Sequence, residues 1–319
     1  HTAIKYSIND RALLVSFKCS KWGVIKLNKQ LRTEICDTHG TDRRMVNPTT
    51  ALIDPKHPLY AAIVTIDGLA GNTFRAMSGE WSGERGGFRI TTSKAYDKLK
   101  VIMNDLEIQR MDAVDALVNN IGEVYRDSAA KLQGLFDQGK LPSVEEIREK
   151  FDWSFTTEMI PEYGSNMIMD LSVDRGNELM AELKGRQQNA HERLNADIFE
   201  RVQSELRHMA TKLTSFGDEI DGSKRTDTFR DTLVSNVQDI ADTIRALNVT
   251  GDARLAKLSD DITIRLCAVP ADELRGSVKG DKRPEPVREA EASTKRDEVK
   301  TAASELLDDL SNIFGEVAA

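Results

Sequence analysis

The sequence predicts a mostly α, elongated protein: a long-helix bundle or hairpin with a small N-terminal α+β part and a tethered C-terminal helix. Three observations carry this reading. Beyond residue 93 apolar residues recur three and four positions apart, the period of helices that each bury one stripe. Aromatic residues are 6% of the 319 residues and charged residues 30%, which suits narrow apolar seams better than a thick core. Strand-like runs are confined to the first 92 residues and to 151–155.

Taken in order, Ala12 to Cys19 is a short apolar run with β-branched and aromatic members, broken by Lys21, Trp22 and Gly23, and reads as a strand. Leu27, Leu31 and Ile35 fall at helical spacing, and that helix ends near His39 and Gly40. A turn-rich connector holds Asn47-Pro48 and Asp54-Pro55-Lys56-His57-Pro58. A second helix then runs from Leu59 to Met77 despite Gly68 and Gly71. Gly79, Gly83, Gly86 and Gly87 make the next segment a loop or hairpin. The central helix is expected from Ser93 to about Gln138, with Leu99, Met103, Leu106, Val114, Leu117, Ile121 and Val124 on its stripe; at 1.5 Å per residue it would be roughly 65 Å long. Pro142 stops it. Ser143 followed by Glu146 is a capping box for the next helix, and Phe151 to Phe155 alternates as a strand able to pair with Leu13 to Phe17.

These features together (the apolar strand followed by Lys21-Trp22-Gly23, the segment Leu52-Ile53-Asp54-Pro55 before a helix, the glycine-rich aromatic loop, the long helix and the strand Phe151–Phe155) resemble a phage and bacterial family of domains of unknown function, numbered thirty-one fifty. The resemblance covers roughly Leu13 to Pro161. It carries over no activity and no catalytic residues. Members of that family look like phage accessory proteins encoded near a MoxR-like AAA ATPase and a protein with a von Willebrand type A domain, so the resemblance implies an adaptor or assembly component.

Further on, Leu171 to Phe216 is a second long helical stretch whose middle, Gly185 to His191, is polar, which reads either as a break or as a place where the helix passes an opening between packed elements. Phe229 to Leu247 is a third, stopped by Gly251, and Leu255 to Leu266 a fourth, closed by Pro270. Four parts are therefore expected: a basic α+β part (1–92) whose strand pairs with 151–155, a long-helix body (93–275), a flexible linker (276–296) and a C-terminal amphipathic helix (297–319). The linker holds Pro284 and Pro286 and alternates charge. Its 21 residues would give the last helix a reach of roughly 25 Å, so that Leu306, Leu307, Leu310, Ile313, Phe314 and Val317 could dock on the body, on a second copy or on another protein.

The net charge of −8 hides an asymmetry. Residues 1–100 carry 16 Lys or Arg against 9 Asp or Glu, and the remainder carries 28 against 43. Either these are solvated faces, or the basic end meets something anionic, such as the acidic end of another copy. No run of about twenty apolar residues exists, the first residues do not read as a secretory signal, and three scattered cysteines (Cys19, Cys36, Cys267) fit a reduced, cytoplasmic chain.

Chemistry-bearing patterns are sparse. Cys36 and His39 have a ligand-like spacing, but a zinc site needs a second close pair, so no metal is expected. The loop around Gly83-Glu84-Arg85-Gly86-Gly87 lacks the Lys-Ser or Lys-Thr end of a phosphate loop, and the histidines at 191 and 208 lie on polar helix faces where solvation suffices. Neither an enzymatic activity nor a cofactor is expected. Arg75, Trp81, Arg85, Phe88 and Arg89, with Lys94 and Lys98, put cations beside aromatics as single-strand nucleic-acid binders do. The simpler expectation is that Trp81 and Phe88 cap the core while the arginines pair with Glu80 and Glu84. The function these readings favour is a non-enzymatic, phage-encoded, oligomerising structural or adaptor protein that assembles with itself or with a partner such as an AAA ATPase, without a membrane partner. The alternatives are a nucleic-acid-binding accessory protein that uses the basic N-terminal third, and an inhibitor of a host defence complex.

Overall fold

Caps, turns and small residues set the boundaries that apolar spacing leaves open. The computed structural model describes residues 11–81, 87–160, 173–216, 219–220, 223–224 and 230–315, and the protein is mostly α. The apolar run at the start forms β1 (Ala12–Cys19). After β2 (Ile25–Leu27), the Asn28 side chain accepts from Leu31 N–H and starts α1 (Lys29–His39), which Gly40 closes in the left-handed region at φ 63°. β3 (Thr49–Ala51) precedes α2 (Pro58–Ala76), where proline occupies the first turn that needs no N–H donor. β4 (Gly79–Glu80) and β5 (Arg89–Thr92) flank the glycine-rich segment.

The expected central helix is two. α3 (Ser93–Asn119) and α4 (Ile121–Leu132) are separated at Asn120, whose φ −110° and ψ 15° are not helical. Two successive asparagines compete with the helix for backbone hydrogen bonds. The break lets Ser128 on α4 reach back and accept from Asp54 N–H at 3.0 Å. Two 3₁₀ turns (Gln133–Leu135 and Gln138–Lys140) lead to α5 (Val144–Arg148), where the Ser143–Glu146 capping box is formed in both directions. β6 (Trp153–Met159) follows. α6 (Val173–Ser215) is continuous through the polar stretch, so of the two readings of that stretch the break is excluded: residues 185–189 lie on a part of the helix with no buried side chain and need no apolar stripe. β7 (Glu219–Ile220), β8 (Ser223–Lys224), α7 (Thr232–Leu247), α8 (Ala253–Leu266), α9 (Ala271–Leu274) and α10 (Glu285–Gly315) complete the described chain.

The linker expected over 276–296 is in large part helix. Pro284 and Pro286 sit at the entry to α10, where proline is tolerated, and its buried stripe begins with Ala292 and the Arg296 side chain and continues through Val299, Ala302 and Ala303 to Leu306 and Leu310. The order in the main sheet is β4-β5-β1-β6, with β1 and β5 antiparallel and Ala12 opposite Thr92; β2 and β3 form a separate antiparallel pair with Ile25 opposite Ala51.

The chain divides into two compact units that cut across the expected boundary between residues 92 and 93. The first comprises His1–Val15, Arg75–Asp97 and Thr157–Ala319; the second comprises Ser16–Phe74 and Lys98–Thr156. In the first unit α10 packs on α6 and α8, and Leu194, Ile198, Leu206 and Met209 of α6 share a core with Val237 and Ile244 of α7, Ile262 of α8 and Leu306 of α10. Gly79 lies against Leu194 so closely that a Cβ there would overlap the leucine's Cδ1.

The second unit packs Trp22, Val24, Ile53, Tyr60 and Ile63 against Val114, Leu117 and Val118 of α3, Val124 of α4 and Ile147 of α5. A buried ion pair runs through it. Arg110 Nε donates to Asp67 Oδ1 at 2.6 Å, with the two side chains 4% and 10% exposed. The same guanidinium donates to the Ser20 carbonyl and lies over the rings of Phe151 and Trp153, 5.6 and 5.7 Å from their centres.

Candidate interaction surfaces

Within the first unit the structure brings most of the cation–aromatic group together, and turns its polar centre inward. Arg89 on β5 donates from Nε to Ser78 Oγ at 2.9 Å and from its terminal nitrogen to the Ser78 carbonyl at 2.7 Å. It pairs with Asp197 of α6 at 3.6 Å and with Glu80 at 3.8 Å. Burial pulls the Arg89 pKa down, and the nearby Arg201 adds to this. Arg201 clasps Asp197 at 2.7 Å and donates to the Arg75 carbonyl at 2.7 Å. The result is a polar latch between the β4–β5 hairpin and α6. Trp81 meets His191 edge to face at 6.4 Å, and Phe88 is partly buried against the core. His191 is thus a packing partner and not the solvated side chain expected; burial lowers its pKa. The Arg75 side chain is exposed, as are those of Lys94 and Lys98, and Arg85 lies outside the described residues.

Of the three docking places open to the C-terminal apolar stripe, the structure shows its own unit. Leu306 and Leu310 are fully buried, Leu307 and Ile313 are partly buried, and Phe314 packs on Phe199 of α6 with ring centres 5.5 Å apart. Val317 lies outside the described residues. Arg296 helps fix α10: it donates to the Leu274 carbonyl at 2.8 Å, pairs with Glu289 and lies over the Phe216 ring at 4.6 Å.

Two surfaces of the second unit lay beyond sequence reasoning. On α3, Val101, Ile108 and Met111 are 61%, 59% and 62% exposed. Their spacing puts them on one stripe opposite Leu99, Met103 and Leu106, with Asp105 and Asp112 exposed alongside. The spacing was readable; which of two apolar stripes faces water depends on what packs against the helix. The other surface is a groove of about 420 Å³ between the β2–β3 pair and the 3₁₀ turns after α4, with Leu27, Leu52, Leu135 and Phe136 among its apolar walls and Lys26 and Lys29 at one side. No sequence signal joins residues 26–30 to 135–141.

No group of three or more His, Cys, Asp or Glu side chains among the described residues could hold a metal ion. Cys36 is buried and His39 exposed at the end of α1, and all three cysteines are free. Among the described residues no helix is long and apolar enough to cross a membrane. Compared with known proteins, the chain matches no family model, no curated protein and no solved structure.

Proposed function

We propose that the chain is a non-enzymatic, oligomerising structural or adaptor protein, a phage-encoded component of the bacterial cytoplasm that assembles with itself or with a partner such as an AAA ATPase. The observation that supports this best is the exposed stripe of Val101, Ile108 and Met111 on α3. Three large apolar side chains aligned on one helix and left in water favour association, because covering them gains about 25 cal/mol per Å² of apolar surface removed from solvent. The C-terminal helix, buried in its own unit, no longer supplies the docking stripe. The resemblance over Leu13 to Pro161 supports an assembly role as well.

Light scattering across a concentration series, with absorbance at two wavelengths to detect nucleic acid, tests the reading. The expected result is a defined multimer free of nucleic acid, reduced to monomer by Val101→Ser, Ile108→Ser and Met111→Ser together. A wild-type chain that stays monomeric at every concentration overturns self-assembly, and a monomer that carries nucleic acid replaces the reading with a nucleic-acid-binding one.

A further inference from the structure

The β2–β3 pair of the second unit ends in an edge that nothing in the described chain covers. Leu52 N–H donates to the Val24 carbonyl at 2.7 Å and Asn28 N–H to the Pro48 carbonyl at 2.9 Å, so residues 24, 26 and 28 direct their backbone groups at β3. The N–H and C=O groups of Ile25 and Leu27 therefore point away from β3, and no hydrogen-bond partner meets them among the described residues. Their side chains are 55% and 42% exposed. Lys26, Asn28, Thr50 and Leu52 share the opposite face of the ladder by alternation and line the groove, which Leu27 and Ala51 also border; the groove's one carboxylate, Asp137, is paired with Lys140 at 2.8 Å. Neither Lys26 nor Lys29 has an ion-pair partner among the described residues.

We propose that this edge accepts an acidic, extended segment of a partner protein as an added strand, whose alternate side chains enter the groove and whose carboxylates meet Lys26 and Lys29. The inference rests on the adaptor reading and names the chemistry of its partner. An edge of this kind pairs readily with other strands, and lysine on it repels a copy of itself: a second β2 would set lysine beside lysine. A strand bearing carboxylates reverses the sign. Peptide is favoured over nucleic acid because the edge presents donors and acceptors in alternation; a phosphodiester backbone accepts hydrogen bonds but offers no donor to the carbonyls of Ile25 and Leu27.

The test uses the full chain and three fluorescein-labelled probes: a ten-residue peptide alternating Glu and Val, its Lys and Val counterpart, and a ten-nucleotide single strand of DNA. Fluorescence anisotropy at low salt should show the acidic peptide binding about tenfold or more tighter than the basic one. Leu27→Pro removes one outward N–H without touching the bonds to β3 and should weaken the acidic peptide about tenfold. Lys26→Glu with Lys29→Glu should reverse the preference between the peptides, and serves alone if the proline variant unfolds. Equal binding of the two peptides, no binding of the acidic one, binding of the DNA alone, or a preference unmoved by the lysine changes overturns the proposal. Scattering reads self-assembly separately: a multimer that ignores the acidic peptide refutes only the edge, and a monomer that binds it refutes only self-assembly.

Discussion

Arg110→Met removes the charge at the centre of the second unit while keeping most of the side chain's volume. Asp67, 10% exposed, would then be a carboxylate without its 2.6 Å partner. Breaking a buried pair from one side costs about 3–5 kcal/mol, because the remaining charge stays desolvated. The Ser20 carbonyl loses a donor as well, worth about 1 kcal/mol. Against a total stability of about 5–15 kcal/mol, the variant should lose about a quarter or more of what holds the unit folded. Removing both charges in Arg110→Met with Asp67→Leu should cost far less than the two single changes added together. Urea unfolding followed by tryptophan fluorescence measures this, since Trp22 and Trp153 both belong to the second unit, and Trp81→Phe silences the first. A cost below about 1 kcal/mol for Arg110→Met, or strict additivity in the double variant, would refute the claim that the pair matters through its burial.

Deleting residues 297–319 should abolish the cooperative unfolding of the first unit, because Val299, Ala303, Leu306 and Leu310 are core residues; the sequence alone predicts a chain that keeps its fold, so circular dichroism on heating separates the two. The milder Leu306→Ala should cost about 2–5 kcal/mol in the same melt. Gly79→Ala forces the buried Leu194 aside and should cost about 1–3 kcal/mol, and a melting temperature equal to wild type would show that the hairpin shifts freely. Burial holds the His191 pKa below that of the unfolded chain, so the unfolded state takes up the proton first as pH falls. Stability is complete above the ordinary imidazole value of about 6.5 and declines below it; His191→Gln should flatten that slope, and an unchanged pH profile would exclude the effect.

Much of the helical content was legible because α3, α7 and α8 bury large apolar side chains at regular spacing, and because Ser143 and Glu146 are a local signal. The start of α10 was not, since its buried stripe includes alanines that read as neutral and its entry holds prolines that read as breakers. Asn119 and Asn120 divide a helix whose apolar pattern runs straight across them. The surfaces were still less legible. Pairing of Arg89 with Glu80 was readable from their closeness in sequence, but Asp197, more than a hundred residues later, was not. A three-residue β2 is too short to show a period of two, and its groove is completed by residues as distant as Leu141.

The division of the chain has a consequence for the order of events during synthesis. Every residue of the second unit has been made once Thr156 is joined, whereas the first unit needs both Leu14, near the beginning, and Leu310, near the end. At about 5–20 residues per second, the interval between completing the two is roughly 8–30 s. For that time the nascent chain carries every residue of the α3 stripe and the β2 edge while the first unit still lacks α10. If the second unit folds before the first, a partner able to recognise either surface can be recruited during translation.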